Sequence, residues 1–252
     1  MMDRLEKSKE KFKQLFGEEV TAAQATDPDF QDILSHFIFG DVFSQGSLDD
    51  KQRELITLVV LATNQTLPQL KAHVHAALNV GLTPVAIKEA VYQCAPYIGF
   101  PKTLNALNEV NEVFKAKHIA LPIESQKTVN EENRFQKGLD VQIKIFGEII
   151  QEMQKNASSN QRHIQEYLSA FCFGDFYTRG GLDLKTRELL TLCILSALGG
   201  AESQVKAHVQ GNKQVGNDKE TLIAAITHCL PYMGFPRTLN ALACVNEMHP
   251  EQ

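Results

Sequence analysis

The sequence predicts an all-α protein made of two tandem copies of one small helical domain, related by a pseudo-two-fold axis. Three observations predict it. A twelve-residue stretch occurs twice, as PYIGFPKTLNAL from Pro96 to Leu107 and as PYMGFPRTLNAL from Pro231 to Leu242, with ten of twelve positions identical and an offset of 135 (231 − 96). An upstream block, Phe39-Gly40-Asp41 to Glu54-Leu55, returns as Phe173-Gly174-Asp175 to Glu188-Leu189 at an offset of 134 (174 − 40). One residue is therefore inserted between the blocks in the second copy. Helix caps and helical apolar periodicity recur in both halves, and no strand pattern is evident. The expected organisation is a first copy over residues 1–117, a linker over 118–133 and a second copy over 134–252.

The elements follow in order. Residues 5–20 are charged, with Leu5, Phe12, Leu15 and Phe16 as an apolar stripe, and read as a helix. Residues 29–39 read as a second, carrying Phe30, Ile33, Leu34 and Phe37, and Gly40 to Gly46 reads as a turn-like link. Asp49 with Gln52 forms a capping box for the next helix, whose apolar face is Leu55, Leu58, Val59 and Ala62. Its counterpart has Asp183 as cap and Leu189, Leu192, Cys193 and Leu195. Thr66 and Gln69 suggest another capping box, and Gly81 a C-terminal stop. Thr83-Pro84 opens a fourth helix that Pro96 ends, and Pro101 opens a fifth with Leu104, Leu107, Val110 and Phe114 as its buried face. Pro122 and many polar residues mark the linker, after which Ile145-Phe146-Gly147 echoes Leu15-Phe16-Gly17.

With a net charge of −5 and no basic run, the chain is not expected to bind nucleic acid. The charged N-terminus does not read as a signal peptide, and no apolar run is long enough for a bilayer, so no membrane association and a cytoplasmic location are expected. The five cysteines, Cys94, Cys172, Cys193, Cys229 and Cys244, include no C-x-x-C pair. Cys94 and Cys229 share one repeat position and read as core packing.

Four pairs of residues suggest chemistry. Glu54 and His73 lie near the starts of successive helices, and Glu188 and His208 repeat them, at spacings of 19 (73 − 54) and 20 (208 − 188). A carboxylate beside an imidazole sets its tautomer and suits general acid–base work. The same pair also serves as a bond that pins two helices. Arg53 and Arg187 precede the glutamates and are candidates to hold a substrate carboxylate, or to form interhelical ion pairs. Tyr97 and Tyr232 either place a hydroxyl in a pocket or plug the turn they occupy. His75 has Gln210 as its counterpart, and two histidines at i and i+2 diverge on a helix, so no metal site is expected.

At these residues the chain resembles the carboxymuconolactone decarboxylase family, which includes the alkylhydroperoxidase-D-type disulfide reductases. The matching runs are FGDVFSQGSLDDKQRELITLVVLA, KAH and PYIGFPKTLNAL in the first copy, and FGDFYTRGGLDLKTRELLTLCILSALGG, KAH and PYMGFPRTLNAL in the second. The resemblance implies an alkylhydroperoxidase-D-like all-α fold that exists as an oligomer, with a site near the Glu-to-His hairpin at Glu54 and His73 and at Glu188 and His208. The antioxidant branch places C-x-x-C four and seven residues before its His. Those positions here are Thr66 and Gln69, and Ala201 and Gln204, so no thiolate is available for disulfide exchange. The expected function is a decarboxylase-type, cofactor-free enzyme acting on a small lactone or carboxylic acid. His208 and His73 would give protons, Glu188 and Glu54 would orient them, and Arg187 and Arg53 would bind carboxylate, with the second copy favoured as active. The alternatives are a thiol-dependent antioxidant protein, which the missing pair disfavours, and a non-catalytic binding or scaffold protein. Single-copy relatives forming rings of six domains would make this fused chain a homotrimer.

Overall fold

The computed structural model describes residues 3–17 and 26–250, and among these every regular element is helical. Helix α1 (Arg4–Phe16) is capped by the Asp3 side chain and stops at Gly17, which adopts a left-handed conformation at φ 77°. The expected continuation over residues 18–20 lies outside the described residues. Helix α2 (Pro28–Ser35) runs directly into a π-helical turn, His36–Asp41, and then a short 3₁₀ turn, Val42–Ser44. The link expected over Gly40 to Gly46 is thus mostly helical. Gly40 looked like a turn residue, but its role is close packing. A Cβ there would lie 2.7 Å from the Arg4 carbonyl oxygen, and one on Gly174 would lie 2.3 Å from that of Arg134. The aspartate after each glycine then pairs with the same arginine, Asp41 with Arg4 and Asp175 with Arg134.

Helices α3 (Asp50–Asn64), α4 (Leu67–Asn79), α5 (Pro84–Gln93), α6 (Ala95–Ile98) and α7 (Phe100–Ala116) complete the first copy. The Asp49–Gln52 capping box forms in full. The one expected at Thr66 does not, because its hydroxyl turns back to the Leu61 carbonyl at 3.4 Å. Residues 118–133 are irregular and lie along the second copy, with Gly180 N–H donating to the Gln126 carbonyl and Thr128 Oγ1 to that of Thr178. The second copy contains α8 (Arg134–Phe146), α9 (Ile149–Asn156), α10 (Arg162–Tyr167), a π-helix (Leu168–Tyr177), α11 (Leu184–Leu198), α12 (Glu202–Gln214) and α13 (Lys219–Met248). Gly234, at φ 79°, kinks α13 where Gly99 separates α6 from α7.

The equivalent helices α3 and α11 pack against each other at the centre, α13 also packs on α3, and α5 on α11. Leu58, Val59 and Leu61 therefore share one buried cluster with Leu192, Cys193 and Leu195. The two copies are halves of one core rather than beads on a linker. On α7 the buried face is Thr103, Ala106, Val110, Val113 and Phe114, while Leu104 points outward and is 57% exposed. No helix among the described residues is long and apolar enough to cross a membrane.

Candidate functional site

The antiparallel pairs α3/α4 and α11/α12 set each glutamate against its histidine. Glu54 Oε2 is 2.9 Å from His73 Nδ1, and Glu188 Oε2 is 2.9 Å from His208 Nδ1. Both carboxylates are fully buried. A buried carboxylate that accepts from Nδ1–H fixes the tautomer and leaves Nε2 for a ligand.

What lies behind the two carboxylates differs. In the second copy Tyr177 O–H donates to Glu188 Oε1 at 2.7 Å and sits 2.7 Å from Thr191 Oγ1. Tyr97 O–H lies 3.0 Å from Tyr177 and 3.7 Å from Cys172 Sγ. Because Tyr177 gives its proton to Glu188, Tyr97 must donate to Tyr177. Burial, and then the Glu188 charge, push the Tyr177 phenol well above its usual range, and burial does the same to Tyr97, so both remain neutral donors. Burial raises the Cys172 thiol to about 12, which leaves it without thiolate character.

In the first copy Phe43 stands where Tyr177 stands in the second. Glu54 Oε1 and the Tyr232 hydroxyl are both buried there with no hydrogen-bond partner among the described residues. The Tyr232 ring packs edge-on against His73 and beside His228, at centroid distances of 5.8 and 5.9 Å.

The tyrosines cross between halves. Tyr97, from the first copy, serves His208, and Tyr232, from the second, serves His73. The arginines cross too. Arg187 reaches Glu89 Oε2 at 3.0 Å, Gln93 Oε1 at 2.9 Å and the carbonyls of Arg179 and Gly180. Arg179 shares Glu89 at 2.8 Å. Arg53 donates to the carbonyls of Gln45 and Leu48 and approaches His228 Nδ1 at 3.5 Å, while His228 Nε2 meets Thr57 Oγ1 at 2.9 Å. The expectation that Arg53 and Arg187 grip a substrate carboxylate does not fit this geometry. Each guanidinium is buried, committed to the interface between halves, and set behind its dyad. Burial, the Arg53 charge and His73 hold the His228 imidazole well below its usual range, so it is neutral.

His208 and Tyr97 line a cavity of about 970 Å³, walled by side chains that include Phe146, Ile149, Ile150, Met153 and Phe171. Of the expected site residues, the structure thus brings His208 and Tyr97 to one cavity, with Glu188 directly behind. Tyr177, Thr191, Glu89, Gln93 and His228 were missed by sequence reasoning. The available signal was mismatch inside matched blocks: Phe43 against Tyr177, Ala224 against Glu89, and His228 against Gln93. All five cysteines are free and buried.

Comparison with known proteins places this geometry. A protein-family model described as the carboxymuconolactone decarboxylase family matches residues 28–112 and again 162–247. Among similar proteins, 4-carboxymuconolactone decarboxylase of Acinetobacter baylyi is 31% identical over 121 residues, covering 48% of this chain and 90% of its own length. Nitrosuccinic acid decarboxylase of Metarhizium robertsii is 31% identical over 101 residues, covering 40% of this chain and 60% of its own length. An uncharacterised 15.0 kDa protein of Paracoccus denitrificans is 33% identical over 78 residues, or 30% of this chain and 58% of that protein. Two family segments spanning more than half the sequence, each with its own buried Glu–His pair, make this chain a tandem member of the carboxymuconolactone decarboxylase family.

Proposed function

We propose that the protein is a decarboxylase-type lyase whose working site is the His208 site. The observation that carries the reading is the Glu188–His208 pair, with His208 lining a cavity while Nδ1 is held by a buried carboxylate. In the reaction, the bond between the substrate carbon and its carboxylate breaks and carbon dioxide leaves. The electron pair passes into an adjoining carbonyl or lactone system. Imidazolium Nε2–H of His208 then delivers a proton to the carbon, and solvent restores it. Glu188 stabilises the imidazolium through Nδ1–H, and Tyr177 spreads the charge of Glu188 through Oε1. Two similar proteins carry decarboxylase names, which supports the reaction class. An antioxidant role is disfavoured, since Thr66, Gln69, Ala201 and Gln204 occupy the positions of the thiol pair. The test is carbon dioxide evolution over a panel of lactone acids and β-keto acids. Absence of turnover across the panel, or turnover that survives His208→Ala, would refute the reading.

We also propose a homotrimer. Phe100 and Leu104 on α7, and their equivalents Phe235 and Leu239 on α13, are 56, 57, 60 and 59% exposed. Two matching apolar patches on a pseudo-symmetric chain suit a closed ring, in which every patch is covered. Light scattering at micromolar concentration should give three times 28.1 kDa, and a persistent single-chain mass would exclude the ring.

A further inference from the structure

The cavity at His208 is large, and the described residues that line it carry no fixed charge. Its volume, about 970 Å³, stands at the upper end of the roughly 300–1,000 Å³ typical of sites for drug-sized ligands. That is far more than a small lactone acid fills. Among the described residues no Asp, Glu, Lys or Arg lines it, and its polar groups include His208, two tyrosines and four glutamines. Arg187, which the sequence offered as a carboxylate binder, does not line it and is engaged by Glu89 and Gln93.

A second observation points the same way. Five of the wall residues, Ile149, Met153, Ile164, Tyr167 and Leu168, are exposed to solvent. They belong to α9, α10 and the start of the second π-helix. An exposed apolar wall converging on a histidine is the arrangement of a ligand site: many apolar contacts and few placed polar groups. A protein surface docking here would have no use for the His208 ring nitrogen that Glu188 leaves available.

We propose that the ligand is an elongated, largely apolar molecule with a single carboxylate, and that the pocket discriminates against small dicarboxylates. This rests on the decarboxylase reading for the presence of the carboxylate. The charge logic is direct. One carboxylate entering the cavity can accept from Nε2–H of a protonated His208, the ring N–H that Glu188 does not take. A second would lose its hydration with no cation among the lining residues to replace it. An apolar body gains by leaving water for the wall.

The experiment is a fluorescence titration of the full-length protein with N-phenyl-1-naphthylamine, a neutral apolar probe, followed by displacement. The expected result is saturable micromolar binding, displacement by dodecanoate, and at least 100-fold weaker displacement by muconate, a small dicarboxylate. Met153→Lys changes a half-exposed side chain, so the fold should survive. It should weaken the probe at least tenfold and bring muconate closer to dodecanoate. A probe signal indifferent to Met153→Lys overturns the proposal, and so does preference for muconate. Exclusion of the probe from an intact oligomer also overturns it and assigns the wall to a second copy of the chain. The two readings fail separately. Probe and dodecanoate binding without carbon dioxide from any acid removes the decarboxylase reading but leaves the apolar pocket. Turnover of a polar lactone diacid without probe binding does the reverse.

Discussion

Replacing Tyr177 by Phe makes the second site resemble the first, and its cost can be worked from the contacts. The hydroxyl donates to a buried carboxylate at 2.7 Å and accepts from Tyr97 at 3.0 Å. A hydrogen bond to a charged group contributes about 1.5–3 kcal/mol, and a buried group left without a partner costs about 1–3 kcal/mol. Both losses occur, but Phe43 shows that the backbone accommodates a phenylalanine in this setting. The expected destabilisation is therefore about 2–3 kcal/mol, less than the two maxima combined. In a chain of this length that corresponds to roughly 5–10 °C in Tm. The reverse change, Phe43→Tyr, offers a hydroxyl to Glu54 Oε1 and Tyr232, which have no partner among the described residues, and should stabilise by about 1–2 kcal/mol. Thermal and urea unfolding of both single variants and the double variant measure this. A neutral Tyr177→Phe together with a destabilising Phe43→Tyr would show that the polar relay contributes nothing and that ring packing alone decides these positions.

Three further outcomes are expected. His208→Ala should abolish carbon dioxide evolution while His75→Ala leaves it nearly unchanged, because His208 combines a buried carboxylate partner with a place on the cavity wall; equal effects in steady-state assays would sink the assignment. His228 is held neutral by burial and Arg53, so its folded pKa is depressed and the unfolded chain takes up a proton that the folded one refuses. Its contribution is fully present above about pH 6.5 and is lost as pH falls, at up to about 1.4 kcal/mol per pH unit. His228→Gln, which installs the residue found at Gln93, should flatten that acid limb in urea titrations at pH 5 to 7. Glu89→Ala leaves Arg187 buried without its carboxylate and should cost about 3–5 kcal/mol in equilibrium unfolding; a cost below 1 kcal/mol would mean that Gln93 and the backbone carbonyls suffice.

The fold was legible because a duplicated sequence supplies its own alignment. Each cap and each apolar stripe could be checked against its counterpart, and the Glu–His pairs emerged from two nearly equal spacings. What the sequence hid follows from the same symmetry. A repeat shows that Tyr97 and Tyr232 are equivalent, but not whether each serves its own copy or the other, since both arrangements have identical spacing. Of the two readings of Arg187, carboxylate binder or interhelical ion pair, the sequence could not choose for this reason, as its partners Glu89 and Gln93 lie in the other half. Leu104 was misplaced because helical periodicity reports an apolar face without saying whether the domain's own core covers it. Gly40 was read as a turn because nothing local reveals a helix passing close to its Cα.

The exchange of residues explains why the two copies belong in one chain. Arg53 is served by His228 from the other half, and Arg187 by Glu89 and Gln93 from the other half. Either half alone would expose a guanidinium whose partners are missing, together with the apolar faces of α3 and α11. Two unlinked copies of a single sequence could satisfy these groups, but every substitution would then appear at both sites. Covalent fusion removes that constraint. It allows Tyr177 at one carboxylate and Phe43 at the other, and Glu89 and Gln93 beside Arg187 where the positions facing Arg53 hold Ala224 and His228. The dyads match at 2.9 Å, while the copies differ in the groups that touch the second carboxylate oxygen and in the partners of the arginine, as well as in the core, where Asn212 and Asn217 stand for Ala77 and Leu82. The result is two dyads of equal geometry whose second carboxylate oxygens differ: that of Glu188 accepts from Tyr177, beside the cavity that His208 lines, whereas that of Glu54 has no partner among the described residues.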